Sequence, residues 1–299
     1  MSKTPSFANQ LTELFNGNLA IGDSRHDAKT DMREQGRDVR TMGDHIHSWG
    51  TFKTELKNAI KVFKDLKAQY GPAIKYIRDA TPQQIAKVFD SYRAQGLSPN
   101  TIVARQGALR RVETLTGHTL LSATAPAQRQ FSPRGVYSDS QVKAITAEVA
   151  KVNPQIAQVL KVQAAFGLRL REAIWLRADK VSHTPGGQVS VEVKGKGGRV
   201  RSVVALDKTA LQGLDLKQHY PLRDGRKEQT QMRAVEQAVR QACRRLGITP
   251  RGTHPIRAAA ANRLYQSLLD EGLSQRSARQ AVALWLGHNR TTVLRHYGL

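Results

Sequence analysis

Leu286-Gly287-His288-Asn289-Arg290-Thr291-Thr292-Val293-Leu294-Arg295-His296-Tyr297 ends two residues short of the last position of the chain. It sets an imidazole just after a glycine and a phenol nine residues further on. A tyrosine so near a terminus is ordinarily a surface or docking residue. The stretch gains weight from two sparse pieces upstream, Gly167-Leu168-Arg169-Leu170-Arg171-Glu172 and His254-Pro255-Ile256-Arg257. Together the three supply a phenol nucleophile, guanidinium groups able to hold a phosphate, and imidazoles for moving protons.

Breaking a phosphodiester without a metal needs a nucleophile, neutralisation of the non-bridging oxygens and a proton for the departing oxygen. A phenol, with a pKa of about 10, is mostly neutral at pH 7, and guanidinium groups nearby favour its ionised form. Arginine suits that task and the stabilisation of a pentacoordinate phosphorus, because it stays charged and presents a planar, two-pronged set of donors. Arg169 and Arg257 are the candidates. A helix begun at Pro255 holds His254 and Arg257 near its N-terminus, where free N–H groups and the dipole favour an anion. His288, past a helix end at Gly287, is placed to donate to a phosphate oxygen.

Val189-Ser190-Val191-Glu192-Val193 and Arg199-Val200-Arg201-Ser202-Val203-Val204 alternate as strands do, around the turn Lys194-Gly195-Lys196-Gly197-Gly198. The hairpin carries Lys196 at its tip, free to protonate a departing 5′-oxygen, with Lys194 on the other side of Gly195 as the alternative. Each residue has a plainer reading: Arg169 in a salt bridge to Glu172, His254 as a helix cap, Lys196 as a solvated turn residue. Singly those readings win. The ordered set, in one basic chain, outweighs them.

The charge balance points the same way. Lys and Arg outnumber Asp and Glu 47 to 24 in 299 residues, a net charge of +23 carried by no compact basic block. Such a spread favours nucleic acid over a membrane surface or a ribosomal-type role. With 39% hydrophobic and 24% charged residues the chain is globular and long enough for two cores. Cys243 is the single cysteine, so no internal disulfide forms, and neither a Cys/His cluster nor two-metal acidic spacing is present. No metal and no cofactor are expected. Met1-Ser2-Lys3-Thr4 opens no signal peptide and no stretch approaches 18 apolar residues, so a cytoplasmic, nucleoid-associated protein is expected.

Residues 1–45 are polar and read as a leader or an arm on DNA. Residues 46–121 read as a small helical DNA-binding domain. Leu56, Ile60, Phe63 and Leu66 make one apolar stripe, with Lys57, Lys61 and Lys64 on another face. Thr81-Pro82 and Ser98-Pro99 start two further helices, whose inner residues are Ile85, Val88, Phe89 and Tyr92, then Ile102, Leu109, Val112 and Leu115. Arg105, Arg110 and Arg111 are expected to point outward, and with the three lysines they are the DNA-binding candidates. Residues 122–137, rich in Ser, Ala, Pro, Gln and Gly, read as a linker, and 138–299 as a catalytic domain. Helices are expected near 138, at 153–166, 207–215, 229–246, 255–271 and 275–286. The fold class is mainly α with a small antiparallel β-hairpin, in two domains.

These motifs resemble the tyrosine recombinase family of phage integrases and Xer-like enzymes, over about residues 45–299. Gly-Leu-Arg-x-x-Glu maps the family's first arginine onto Arg169 and its acidic companion onto Glu172. Lys196 resembles the hairpin lysine, His254-x-x-Arg257 the His-x-x-Arg box, Leu286-Gly287-His288 the Leu-Gly-His element, and Tyr297 the nucleophile. Ser98-Pro99-Asn100-Thr101 looks like the helix start of the family's core-binding domain. The resemblance implies a site-specific recombinase that cuts and rejoins DNA through a 3′-phosphotyrosyl link. Its partners would be double-stranded recombination sites, with a homo-tetramer on DNA and accessory DNA-bending proteins. Arg169, Arg257 and His288 would stabilise the transition state, His254 would assist proton transfer, Lys196 would be the general acid and Glu172 would orient the site. A type IB topoisomerase-like relaxing enzyme and a catalytically inactive architectural DNA binder are the alternatives. Three departures stand out: Ala258-Ala259-Ala260-Ala261-Asn262 follows Arg257 where a His-Thr-Phe type sequence is common, the sequence stops two residues after Tyr297 where family members commonly continue into a tail helix, and the hairpin lysine has Lys194 as its alternative to Lys196.

Overall fold

The structure, a computed structural model, describes residues 4–37, 45–131, 135–195, 200–206 and 227–299. It is mainly helical with one three-stranded antiparallel sheet, and the chain divides into two compact units, Met1–Phe131 and Ser132–Leu299.

The first unit contains α1 (Phe7–Asn16), α2 (Arg25–Glu34), α3 (Trp49–Tyr70), α4 (Pro82–Ala94) and α5 (Pro99–Thr116). Serine or threonine hydroxyls cap the N-termini, and Thr81 and Gln84 exchange hydrogen bonds in a capping box at α4. Phe63 and Leu66 of α3, Ile85, Val88, Phe89 and Tyr92 of α4, and Ile102, Leu109 and Val112 of α5 form the core. Leu56, Ile60 and Leu115 lie half-buried at its edge.

Two segments differ from expectation. Phe7, Leu11 and Phe15, four apart, form an apolar stripe on α1 that is buried in this core, where a leader or arm was expected. Burying such a side chain stabilises by about 1.5–3 kcal/mol, so this stripe docks a helix that is polar on its other faces. The expected linker is also bound in part. Glu113 accepts from the backbone N–H of Leu120 and Leu121, Gln106 bonds both Ala125 and Ala127, and Asn100 donates to the Gln130 carbonyl. Polar side chains thereby replace the missing apolar periodicity.

The second unit contains α6 (Asp139–Ala150), α7 (Pro154–Phe166), the short α8 (Leu170–Ile174), β1 (Val181–His183), β2 (Val189–Lys194), β3 (Val200–Val204), α9 (Glu228–Arg245), α10 (His254–Asp270), α11 (Gln275–Trp285) and a 3-10 turn over Thr291–Tyr297. The sheet order is β1-β2-β3, with Lys194 opposite Val200 and Val191 opposite Val203. The hairpin read from the sequence is present, with β1 added to it. The expected helix at 207–215 and the residue Lys196 lie outside the described residues.

The alanine run has a packing role. Ala258, Ala259, Ala260 and Ala261 are all buried; Ala259 faces the main core of the unit, while Ala258 and Ala261, with so little side chain, let α11 and the terminal turn settle close against α10. Val282, Ala283, Leu286, Leu294 and Tyr297 fill that contact. The last turn is thus part of a core. No helix among the described residues is long and apolar enough to cross a membrane.

Candidate active site

Arg257 is the centre of the site. It lies on the first turn of α10 and is wholly buried, a costly position for a guanidinium unless every donor is matched. Its Nη1 donates to the Gly167 carbonyl at the end of α7, and its Nη2 to the Leu286 carbonyl at the end of α11, 2.6 Å away. Its Nε donates to the hydroxyl of Tyr297 at 3.1 Å. Burial pulls the guanidinium below its ordinary pKa, though arginine remains cationic.

Tyr297 is only 2% exposed and is held at both ends by α10. Its carbonyl accepts from Asn262 Nδ2 at 2.7 Å, one helical turn beyond the arginine that holds its hydroxyl. His288 Nε2 stands 3.1 Å from the same hydroxyl. The His254 ring lies 5.2 Å, centre to centre, from the tyrosine ring, tilted 48° to it.

Glu172 collects the other arginines. Its carboxylate caps α8 by accepting from the Arg169 backbone N–H at 2.8 Å, and it pairs with Arg169 Nη1 at 2.7 Å. Arg201 grips both of its oxygens, at 3.0 and 2.9 Å, and Arg257 Nη1 is 3.6 Å away. Burial alone would raise the Glu172 pKa, but the hydrogen bonds from Arg201 and Arg169 hold it down to about 2. Burial pushes His288 down to about 4, and the charges of Arg257, Arg169 and Arg201 push in the same direction. At pH 7 the imidazole beside the phenol is therefore neutral.

Close packing fixes this geometry. Gly167 has φ +54° and would place a Cβ 2.2 Å from the Trp285 ring, so only glycine leaves its carbonyl aimed at Arg257. Gly287, at φ +72°, leaves room for the Arg201 guanidinium, whose Nε lies 2.9 Å from where a Cβ would stand.

Arg169, Glu172, His254, Arg257, His288 and Tyr297 are thus brought together from separate segments, while Lys196 falls outside the described residues. Lys194, the alternative, is exposed at the end of β2. Arg201 is a further member of the cluster, outside the motifs read from the sequence. A signal for it exists: two residues before buried Val203 it shares the inward face of β3, and a charged residue on that face needs a buried partner.

The DNA-binding candidates of the first unit divide. Lys57, Lys64 and Arg110 are exposed, as expected. Lys61 is exposed but pairs with Asp65 at 2.6 Å. Arg111 is not an outward charge: it pairs with Glu55 at 2.9 Å and its side chain is only 13% exposed. Arg105 folds back, 4.1 Å over the Tyr92 ring, where cation–π attraction holds it. Helix position alone does not reveal such partners. Among the described residues no cluster of His, Cys, Asp and Glu could hold a metal ion.

The fold is that of the tyrosine recombinases. Over 97% of this chain and 90% of the other, it is similar at TM-score 0.61 and 14% identity to the XerH site-specific recombinase bound to palindromic difH substrate in a post-cleavage complex. A lambda integrase dimer bound to a COC′ core site matches at TM-score 0.60 and 16% identity, over 91% of this chain and 76% of that one. The Tn1549 transposon integrase, in complex with transposon right end DNA, matches at 0.54 and 13%, over 96% and 94%. No family model and no curated protein matches the sequence.

Proposed function

We propose that this chain is a tyrosine-type site-specific DNA recombinase, an integrase that cuts and rejoins DNA through a 3′-phosphotyrosyl intermediate. One observation carries the reading: the Tyr297 hydroxyl sits 3.1 Å from both a buried guanidinium nitrogen and an imidazole nitrogen. A structural tyrosine needs no such pair.

In the reaction, Tyr297 Oη attacks the scissile phosphorus, forming a P–O bond to the phenol while the bond to the 5′-oxygen breaks. Arg257 Nε already donates to Oη, so the hydroxyl proton is directed to His288 Nε2 when that nitrogen is bare. A base lowered to about 4 is weak. The negative charge of an arriving phosphodiester offsets the guanidinium field and raises its proton affinity, so substrate itself activates the base. Arg169, the guanidinium with open surface, meets the non-bridging oxygens as charge grows there, while the buried Arg257 stabilises the charge that develops on the phenol oxygen. His254, against the tyrosine ring, assists proton handling. The 5′-oxygen takes its proton from Lys196. Rejoining reverses these steps without ATP or metal, since the ester conserves the phosphodiester bond energy.

The partners on this reading are two double-stranded recombination sites, a homo-tetramer assembled on them and accessory DNA-bending proteins. The helical unit, with Lys57, Lys64 and Arg110 exposed, supplies phosphate contacts. Incubating the protein with nicked duplexes drawn from the flanks of its own gene is expected to give an SDS-resistant adduct, absent with Tyr297→Phe. Salt-sensitive binding with no adduct would favour an architectural role. An adduct accompanied by relaxation but no strand exchange would favour a topoisomerase-like one.

A further inference from the structure

We propose that Arg201 is a positioning residue of this site: through Glu172 it holds Arg169 in the geometry that a phosphate meets. The proposal rests on the recombinase reading above for its catalytic consequence, and on the structure alone for its physical basis.

Glu172, Arg257, Arg201 and Arg169 have side-chain exposures of 3%, 0%, 13% and 31%. Of the three guanidinium groups around the carboxylate, Arg169 is therefore the one with substantial open surface. Arg257 is consumed by two carbonyls and the phenol. Arg169 depends on Glu172 twice, through its backbone N–H and through Nη1. What fixes Glu172 is Arg201, whose two terminal nitrogens take one carboxylate oxygen each. A bidentate pair from one planar guanidinium fixes the carboxylate's orientation as well as its distance, whereas Arg169 meets the two oxygens with one side-chain nitrogen and one backbone N–H of the turn that Glu172 itself caps.

Arg201 is also an expensive residue to keep where it is. Its Nε is buried without a hydrogen-bond partner among the described residues, and it occupies the space left by the missing Cβ of Gly287. A plain surface salt bridge would carry neither cost. The placement ties three pieces together: β3 of the lysine hairpin, the Arg169 turn and the turn before His288.

The test uses the full chain as wild type, Arg201→Ala, Arg201→Lys, Glu172→Gln and the Arg201→Ala/Glu172→Gln double variant. Three quantities are read: the initial rate of adduct formation on the nicked duplex, affinity for that duplex at fixed salt, and hydrogen exchange of the Arg169 backbone amide by NMR. Arg201→Ala is expected to slow adduct formation by on the order of 10- to 100-fold, the usual loss when a supporting contact behind a reacting group is removed. DNA affinity should change little, and lysine, with no planar fork, should restore only part of the rate. The double variant should be no slower than the slower single variant, because both changes break one unit. The Arg169 amide should exchange about tenfold faster in Arg201→Ala, equivalent to about 1.4 kcal/mol of lost protection.

Multiplying losses in the double variant would mean that Arg201 merely stabilises the hairpin, and would overturn the proposal. So would an unchanged Arg169 amide. If the wild-type chain forms no adduct, the recombinase reading fails, and amide exchange still decides whether Arg201 positions Arg169.

Discussion

Protonating His288 means adding a positive charge to a half-buried ring already facing Arg257, Arg169 and Arg201. Its folded pKa of about 4 lies below the ~6.5 of a free imidazole, so the unfolded chain takes up the proton first. This group's effect on stability is therefore flat above pH ~6.5, declines as pH falls through the interval down to about 4, and is flat again below it. His288→Gln is expected to flatten the pH dependence of urea unfolding in that interval; an unchanged slope would show the imidazole to be unperturbed. Glu172 acts lower, since its stabilisation is present above the ordinary carboxylate range and is lost as pH falls towards about 2. Tyr297→Phe should also cost stability, about 1–3 kcal/mol, because it leaves the buried Arg257 Nε without its acceptor. Chemical denaturation measures that directly. At this scale the phenol and Arg257 are legible from spacing, but the 3.1 Å approach of His288 to the phenol oxygen is not. It is set by the packing of α10 and α11 against the terminal turn, which no local pattern encodes.

Among the elements, periodicity served best where a helix buries one clean face. The four inner residues of α4 were readable to the residue because Ile85, Val88, Phe89 and Tyr92 follow helical spacing without interruption. In α1 the stripe is three residues wide in a polar setting, too thin to stand out, yet Leu11 and Phe15 are fully buried. Arg201 is not legible from alternation alone, since the pattern that marks β3 as a strand does not say which of its two faces is buried. Two changes probe this level. Gly167→Ala should destabilise the second unit by more than 2 kcal/mol, since a Cβ would meet the Trp285 ring at 2.2 Å and the backbone is left-handed there. Thermal unfolding tests it, and a melting point equal to wild type would mean that the indole swings away freely. Asn262→Ala removes the clasp on the Tyr297 carbonyl. On the recombinase reading it should slow adduct formation by roughly tenfold while DNA affinity holds, because the phenol loses its orientation.

For the molecule as a whole, net charge was the most legible property and the least specific. A +23 chain is drawn to any polyanion, so affinity alone says little about function. Salt dependence says more. Each lysine that neutralises a phosphate should contribute about 0.9 to the log–log slope of affinity against salt. Lys57→Ala and Lys64→Ala should each flatten the slope by about that amount, and Lys61→Ala by less, since Asp65 already compensates it. Equal effects from all three would mean that the Lys61–Asp65 pair opens on DNA. The division into two units was visible as two sets of apolar patterns, but the boundary was blurred by residues 120–130, bound through side-chain amides and a carboxylate that leave no periodic trace.

Arg257 joins the ends of two helices to the last turn of the chain. On the recombinase reading, a copy whose Thr291–Tyr297 turn has come away from α10 holds its phenol out of reach of the guanidinium, and the arginine has nothing to activate. Competence to nick a chromosome then hangs on one local contact, made only when that turn closes over Arg257. A partly unravelled copy is harmless to the genome.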